Sequence, residues 1–445
     1  MVSSESPQCV RDISLEHREE SFDVENPYTP LVSSIKGKLD LLPTLSGECC
    51  IYRVPKKIRE QKDAAFTPQV VSIGPLHHGK GDLKVMEEHK QRYLKKFLAR
   101  PNVSMEDYIA IVKENEVKLR DCYAETIQIG SDEFVEMILV DAVFIIELLL
   151  KDREYESHSD VEDDRIFTKP WMLHDVMVDM LVLENQIPYF ILEKIYDAAR
   201  IKSSSSKEEE GRLSIISLFY HCFKQFFTQE DILDKYRSSK FVHFLDFFRI
   251  AYQPTDVPVQ RNTESRNKLT VTALERAGVK FQARDSSKNN MFDIKFEDGI
   301  LQIPKIVIQG GTEVLLRNLI AFEECNCDTS VLVDYATFLD SLIDTEKDIE
   351  ILGRNEVLEA WSSDNMRALN IFNGLSASCT FAPDNFFYAG VWKDLDDYYK
   401  VPWHKWKAIL RQSYFNTPWA TISVMAAVVL LILTALQSVW SITHP

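Results

Sequence analysis

The sequence predicts a mainly α fold: a helical globular body, a small antiparallel β meander and one C-terminal transmembrane helix. Three observations carry this expectation. Trp419–Trp440 (WATISVMAAVVLLILTALQSVW) contains no Asp, Glu, Lys or Arg. At about 1.5 Å per helical residue it reaches about 33 Å, enough to cross a bilayer core of roughly 30 Å. The stretches Met86–Arg100 and Phe134–Leu150 repeat apolar residues at helical spacing or are apolar almost throughout. Period-two alternation is confined to the region from Val279 to Ile303, where Asp298-Gly299 marks a hairpin turn.

Residues 1–45 are polar and patternless, which predicts a disordered leader, and the first thirty hold no apolar core long enough for a secretory signal. Residues 46–252 are expected to form a first helical lobe, 268–415 a second that includes the meander, and 418–440 the transmembrane helix. Within the first lobe Cys50–Pro55 is short and extended, and Phe66–Gly79 (FTPQVVSIGPLHHG) is an ordered loop or edge strand because two prolines punctuate it. Met86–Arg100 places acids first and bases last, as the helix dipole favours. A second helix is expected over Asp107–Ile127.

Phe134–Leu150 is polar only at Glu136, Asp141 and Glu147. Three acids would add about 7–10 kcal/mol to membrane insertion, so a core helix is predicted there. An acidic loop follows over Asp152–Asp164, then an apolar helix from Trp171 that Pro188 interrupts. Ser203–Ser206 and Glu208–Glu210 read as a linker, and Leu213–Tyr252 as a phenylalanine-rich helical stretch. In the second lobe a helix is expected at Leu269–Ala277, then the meander, then helices from Thr312 through Phe372 and a last one over Leu395–Tyr414. Gly310-Gly311-Thr312 reads as a turn and helix N-cap.

Composition limits function. The formal net charge of −17 over 445 residues speaks against a general nucleic-acid binder, which needs a cationic surface to displace counterions. Lys400, Lys405, Lys407 and Arg411 precede the span and no fixed charge follows it, so the positive-inside bias places the body in the cytosol. The competing topology exports the body, in which case the sequon Asn102-Val103-Ser104 would matter. Plasma membrane and endoplasmic reticulum stay equally open. The eight cysteines are sparse for this length and would remain reduced in the cytosol; Cys325-Asn-Cys327 lacks the paired spacing of a zinc site.

No nucleophile elbow, phosphate loop, dinucleotide fingerprint or HExxH motif occurs. His77, His78 and His89 have no acid or thiol at a familiar ligand spacing, and read as hydrogen-bonded structural histidines. No catalytic, metal or cofactor residue is assigned. The acids of the apolar helices are more informative. Asp175 and Asp179 lie about 40° apart on a helix, but Glu184 is about 180° from Asp175, and Glu136, Asp141 and Glu147 are also scattered. Such a spread suits separate buried acids paired with basic groups or backbone donors, with Arg53, Lys90, Arg92 and Arg120 as candidate partners. Glu184, Asn185, Gln186 and Pro188 are read as a structural joint between helices; the alternative makes Asp141, Asp175, Asp179 and Glu184 the acids of a pocket.

Cys50–Pro55, FTPQVVSIGPLHHG, Met86–Leu94, Phe134–Lys151, DMLVLENQIPYF at Asp179–Phe190, Phe292–Pro304, NLIAFE at Asn318–Glu323 and Tyr414–Leu436 occur in one order. Together they resemble the plant family called domain of unknown function 247, also filed as uncharacterised protein family 0481. Ala142 stands where the family pattern has glycine. The resemblance implies a helical body with a C-terminal membrane anchor and no assigned chemistry. A link of some grass members to pollen–stigma self-incompatibility implies recognition or signalling. The expectation is therefore a membrane-anchored plant protein that is non-catalytic and acts through an unidentified protein partner, held in lipid by Trp419–Trp440. The alternative is a membrane-associated enzyme of plant specialised metabolism with an aromatic-lined pocket.

Overall fold

The computed structural model describes residues 28–40, 47–100, 104–156, 164–199, 214–227, 232–233, 240–253, 268–284, 290–327, 330–360, 364–377, 379, 385–403, 406 and 418–443. The linker at Ser203–Glu210 and Asn102 of the sequon lie outside these residues. The chain divides into two compact units, Met1–Gly47 and Glu48–Pro445. The first contains helix α1, Thr29–Asp40, inside the stretch expected to be a patternless leader. Its apolar residues Leu31, Val32, Ile35 and Leu39 recur at helical spacing, and all four are exposed.

The second unit is built around one hydrophobic core that runs from Val54 to Leu395, so residues of both expected helical lobes share it. Helices α2 (Val85–Leu98), α3 (Met105–Glu114) and α4 (Glu116–Asp121) precede the long α5 (Ser131–Glu156). The helix expected over Asp107–Ile127 thus breaks at Asn115 and ends early. On α5 the run from Met137 to Leu150 is buried on every side, against α2, α3, α7 (Tyr189–Ala198) and α8 (Ile215–Cys222). This is the core helix that its acids predicted. Asp141 and Glu147 are buried against Lys90 and Arg100, while Glu136 faces solvent. Helix α6 spans Pro170–Asp179.

The phenylalanine-rich stretch folds as α8, a turn at Lys224–Phe226, and α9 (Phe244–Tyr252). Its rings pack on one another: Phe219 stacks on Phe244 at 4.0 Å and Phe227 on Phe248 at 4.6 Å. The cavity beside Phe244, Asn185 and Gln186 measures about 10 Å³, room for about one water molecule.

After α10 (Val271–Arg276) come β1 (Lys280–Arg284), β2 (Lys295–Glu297) and β3 (Ile300–Pro304). Asp298 and Gly299 both have positive φ, 50° and 76°, as the predicted tight hairpin requires, and β2 pairs antiparallel with β3. The sheet is mixed, however, because β1 lies on the other edge of β3 and parallel to it. A second pair, absent from the sequence reading, joins β4 (Ile306–Ile308) in parallel to β5 (Leu358–Ala360). β5 interrupts the expected helical run, which folds as α11 (Thr312–Asn326), α12 (Val331–Leu342), α13 (Glu346–Arg354) and α14 (Asn365–Leu375). Gly311, at φ 85°, is the N-cap of α11.

Helix α15 spans Ala389–Lys400, starting six residues before the expected Leu395. Helix α16 spans Pro418–Thr443. Its segment Thr421–Trp440 is long and apolar enough to cross a membrane and has none of its apolar window buried in protein. The hydroxyls of Thr434 and Ser438 donate to the carbonyls of Leu430 and Thr434 at 2.8 and 2.9 Å, which satisfies them within the helix.

One buried acid of this half gives a titration signature. Glu323, on α11, accepts the backbone N–H groups of Leu332 and Val333, which open α12, at 2.8 and 3.0 Å. Burial nevertheless pushes its carboxyl up to about 8 from an ordinary 4.5. Between those values the folded protein keeps a proton that the unfolded chain has released. Stability therefore falls as pH rises through this window, by up to about 1.4 kcal/mol per unit. Glu323→Gln keeps one acceptor and cannot ionise. Thermal melts between about pH 5 and pH 8 should show a smaller fall in melting temperature for Glu323→Gln than for the wild type. Equal slopes would refute the assignment.

Candidate functional site

Phe66–Gly79 is irregular chain whose central part, Val71–Ile73, runs through the core. Val71, Ser72 and Ile73 are buried, yet no strand lies beside them among the described residues. Backbone N–H groups so placed have to find side-chain acceptors. The α6–α7 connection and α5 supply them. Asp179 accepts from Gln69, Val70 and Val71 at 2.8, 2.7 and 2.8 Å. Asn185 Oδ1 accepts from Ile73 at 2.7 Å, and Asp141 from Gly74 at 2.7 Å. At Gly74, with φ 71°, an added Cβ would stand 2.7 Å from the carbonyl of Gln186. The loop and the connection therefore close on each other only with glycine there.

The apolar pattern predicts a helix that continues to Pro188. In the structure α6 stops at Asp179, and Leu183–Asn185 forms a single 3-10 turn. The amides of the connection explain the early stop. Asn185 Nδ2 donates to the carbonyl of Asp179 at 3.0 Å and to that of Val71 at 3.0 Å. Gln186 Nε2 donates to Met180 at 2.7 Å and Val182 at 2.9 Å. These side chains add donors to the carbonyls at and just beyond the helix end. Pro188 then serves as the N-cap of α7, in extended conformation, where a missing N–H costs nothing.

Glu184 points the other way, into a cluster of donors. It is fully buried and accepts from the Val54 N–H at 2.7 Å, Arg53 Nη1 at 3.2 Å, His77 Nε2 at 3.0 Å and Arg59 Nη2. Burial alone would raise its carboxyl; the His77, Val54 and Arg59 contacts outweigh that and hold it below the usual range. His77 is itself lowered, chiefly by burial and despite Glu184, with the Lys80 and Arg53 cations adding to the effect. A neutral ring fits both neighbours: Nε2–H donates to Glu184, and Nδ1 accepts from Lys80 Nζ at 2.7 Å.

The structure thus gathers Asp141, Asp179, Glu184, Asn185 and Gln186 around one loop. Asp175 is half-buried and does not join them. Of the basic residues proposed as partners, Arg53 meets Glu184 and Lys90 meets Asp141 at 2.6 Å. Arg92 pairs with Glu88 on the surface, and Arg120 with Glu116 and the carbonyls of Ile127 and Ile129. Sequence reasoning missed Arg59 and Asn318. The Asn318 amide, mid-way along α11, accepts from Leu183 N–H at 2.8 Å and donates to the carbonyl of Ala65 at 2.7 Å. A lone asparagine within an apolar helical run was the available signal. Among the described residues no group of three or more His, Cys, Asp or Glu could hold a metal ion.

A family model described as a plant protein of unknown function, domain of unknown function 247, matches residues 51–433. The chain belongs to this family. The family match takes in the loop, its acids and α11. The chain is similar to the UPF0481 protein At3g47200 of Arabidopsis thaliana, at 28% identity over 437 residues, covering 92% of this chain and 89% of the relative. It is also similar to a second Arabidopsis thaliana protein of that name, At3g02645, at 22% identity over 480 residues, covering 87% and 89%. No solved structure matches significantly.

In this member of family 247 the acids around the loop, Asp141, Asp179 and Glu184, are spent on backbone and basic donors. Removing an acceptor strands buried N–H groups and, at Glu184, several cationic or polar donors at once. Glu184→Ala and Asn185→Ala should each destabilise the fold by about 1–3 kcal/mol, with Glu184→Gln milder because it keeps one acceptor. Thermal or denaturant melts of the full chain in detergent check this. An unchanged midpoint in Glu184→Ala would show that the contacts contribute nothing.

Proposed function

We propose that this family member is a single-pass membrane protein. Its helical body works on the cytosolic side by binding another protein, in recognition or signalling, without catalysis. One observation carries the reading: Thr421–Trp440 forms an apolar helix none of whose side chains is buried among the described residues. In water such a surface is costly, and lipid is the solvent that suits it. Trp419 and Trp440 bracket the segment, as interfacial indoles do. The absence of catalysis is inferred from the acids around the loop. Asp179, Glu184 and Asp141 are engaged by structural donors, which leaves them poorly placed to exchange protons with a substrate. Glu184–Asn185–Gln186 with Pro188 then act as the joint that sets α6 against α7.

The full chain should resist alkaline carbonate extraction, and a chain ending at Asn416 should be released. Recovery of the full chain in the soluble fraction defeats the proposal. With the body in the cytosol Asn102 carries no glycan. An endoglycosidase-sensitive mass shift that Asn102→Gln abolishes would instead place the body across the membrane. Proximity labelling in native plant tissue then reports the partner.

A further inference from the structure

Helix α2 buries one stripe in the core and presents another outward. His89, Arg92, Tyr93 and Lys96 follow the i, i+3, i+4, i+7 spacing that brings side chains to one face. Opposite them stand Lys151, near the end of α5, and Asp164 and Arg165 from the turn that follows. These residues line a cleft of about 340 Å³, within the usual size of small-ligand sites. Its lining holds four permanent cations against one acid, in a chain whose net charge is −17.

The acid is already committed. Asp164 accepts from Tyr93 Oη at 2.7 Å, from the Ile166 N–H at 2.9 Å and from Lys151. The Lys151 ammonium also lies 4.3 Å from the centre of the Tyr93 ring, so the floor of the cleft is held from several sides. Arg92 pairs at 2.5 Å with Glu88, which stands outside the lining and is well exposed. Lys96 and Arg165 have no acidic partner among the described residues, and His89, though buried, has no hydrogen-bond partner among them. Burial and the neighbouring Arg92 hold the His89 imidazole below its usual value, so it enters the cleft as a neutral donor–acceptor.

A guanidinium and an ammonium without acidic partners among the described residues face each other across the cleft beside an imidazole, and together suit a compact, multiply charged oxyanion. A guanidinium can donate two parallel hydrogen bonds to a tetrahedral phosphate, and an ammonium supplies point charge. A single carboxylate would leave part of that charge unanswered. We propose that this cleft binds a phosphate monoester group, presented either by a small soluble phosphate or by a phosphoinositide headgroup. The cleft stands independently of the membrane reading; only the headgroup source rests on it.

Calorimetric titration of the full chain, in nanodiscs of phosphatidylcholine, with inorganic phosphate and then inositol trisphosphate tests the proposal. Saturable one-to-one binding is expected. Lys96→Gln and Arg165→Gln should each weaken it about tenfold, the loss of a charge-assisted contact. Both side chains are exposed, so the fold should survive, which a thermal melt checks. Lys95→Gln makes the same charge change on an exposed neighbour outside the lining and should leave binding intact. Absence of saturable heat, or equal losses in Lys95→Gln and Lys96→Gln, would overturn the proposal, the latter by reducing it to diffuse attraction. Nanodiscs containing phosphatidylinositol bisphosphate separate the two sources. Loss of the soluble titration there identifies the headgroup as occupant; persistence identifies a soluble phosphate.

Discussion

An extended segment buried among helices has no neighbouring strand to take its N–H groups, and much of this architecture answers that constraint. Gln69, Val70, Val71, Ile73 and Gly74 each hand their N–H to a side chain from another element. An unpaired buried donor costs about 1–3 kcal/mol, so without these acceptors the loop could not lie where it does. A carboxylate serves well because its two oxygens accept several donors at once, as Asp179 does from three consecutive residues. Asn185 does what no acid can: its oxygen takes the loop N–H of Ile73 while its amide serves the carbonyls of Val71 and Asp179. One side chain thereby joins the loop to the end of α6.

A buried polar network constrains geometry, because each of its hydrogen bonds has a required direction. Removing Glu184 from water is expensive, and Arg53, Arg59, His77 and Val54 offset that cost. Breaking one link is a different matter, since the remaining donors keep their desolvation cost and lose its compensation. The consequence is geometric. Asn318 fixes α11 to both Leu183 and Ala65, so the loop, the α6–α7 connection and the second half of the chain hold a single relative arrangement. Hydrophobic packing alone, being non-directional, would tolerate several.

What was legible in the sequence follows the same division. Periodicity revealed α2, the core helix α5 and the Asp298-Gly299 hairpin because each depends on local pattern or local turn chemistry. The charge argument kept Phe134–Leu150 out of a membrane, and two of its three acids, Asp141 and Glu147, are buried and paired, while Glu136 faces solvent. The end of α6 was hidden, because Met180–Leu183 is as apolar as the helix before it and the stopping signal lies in side-chain amides several residues on. The parallel partners of β3 and β4 were hidden too, since register between distant segments leaves no mark in a short run. Among the acids, angular spacing on a helix was the wrong ruler once the helix ended. Asp179, at the start of the irregular connection, and Glu184, within it, reach different parts of the loop, Gln69–Val71 and His77, while Asp175, nearest to Asp179 on the helix, does not join.

This use of the acids bears on where function can reside. A carboxylate filled by backbone donors cannot lend its lone pairs to a substrate without first releasing the chain it holds. Polar groups available to a ligand are therefore found away from the loop, where side chains are ordered by their surroundings and still have open valences. The cleft between α2 and the end of α5 meets that description. Tyr93, Lys151 and Asp164 are tied to one another, and Lys96 and Arg165 stand at the rim without acidic partners among the described residues. The two sites share α2, which sends Lys90 inward to Asp141 and His89 to the cleft. Adjacent residues on a helix point about 100° apart. One rigid helix can thus anchor the buried loop on one face and hold an anion-sized opening on the other, without either task disturbing the other.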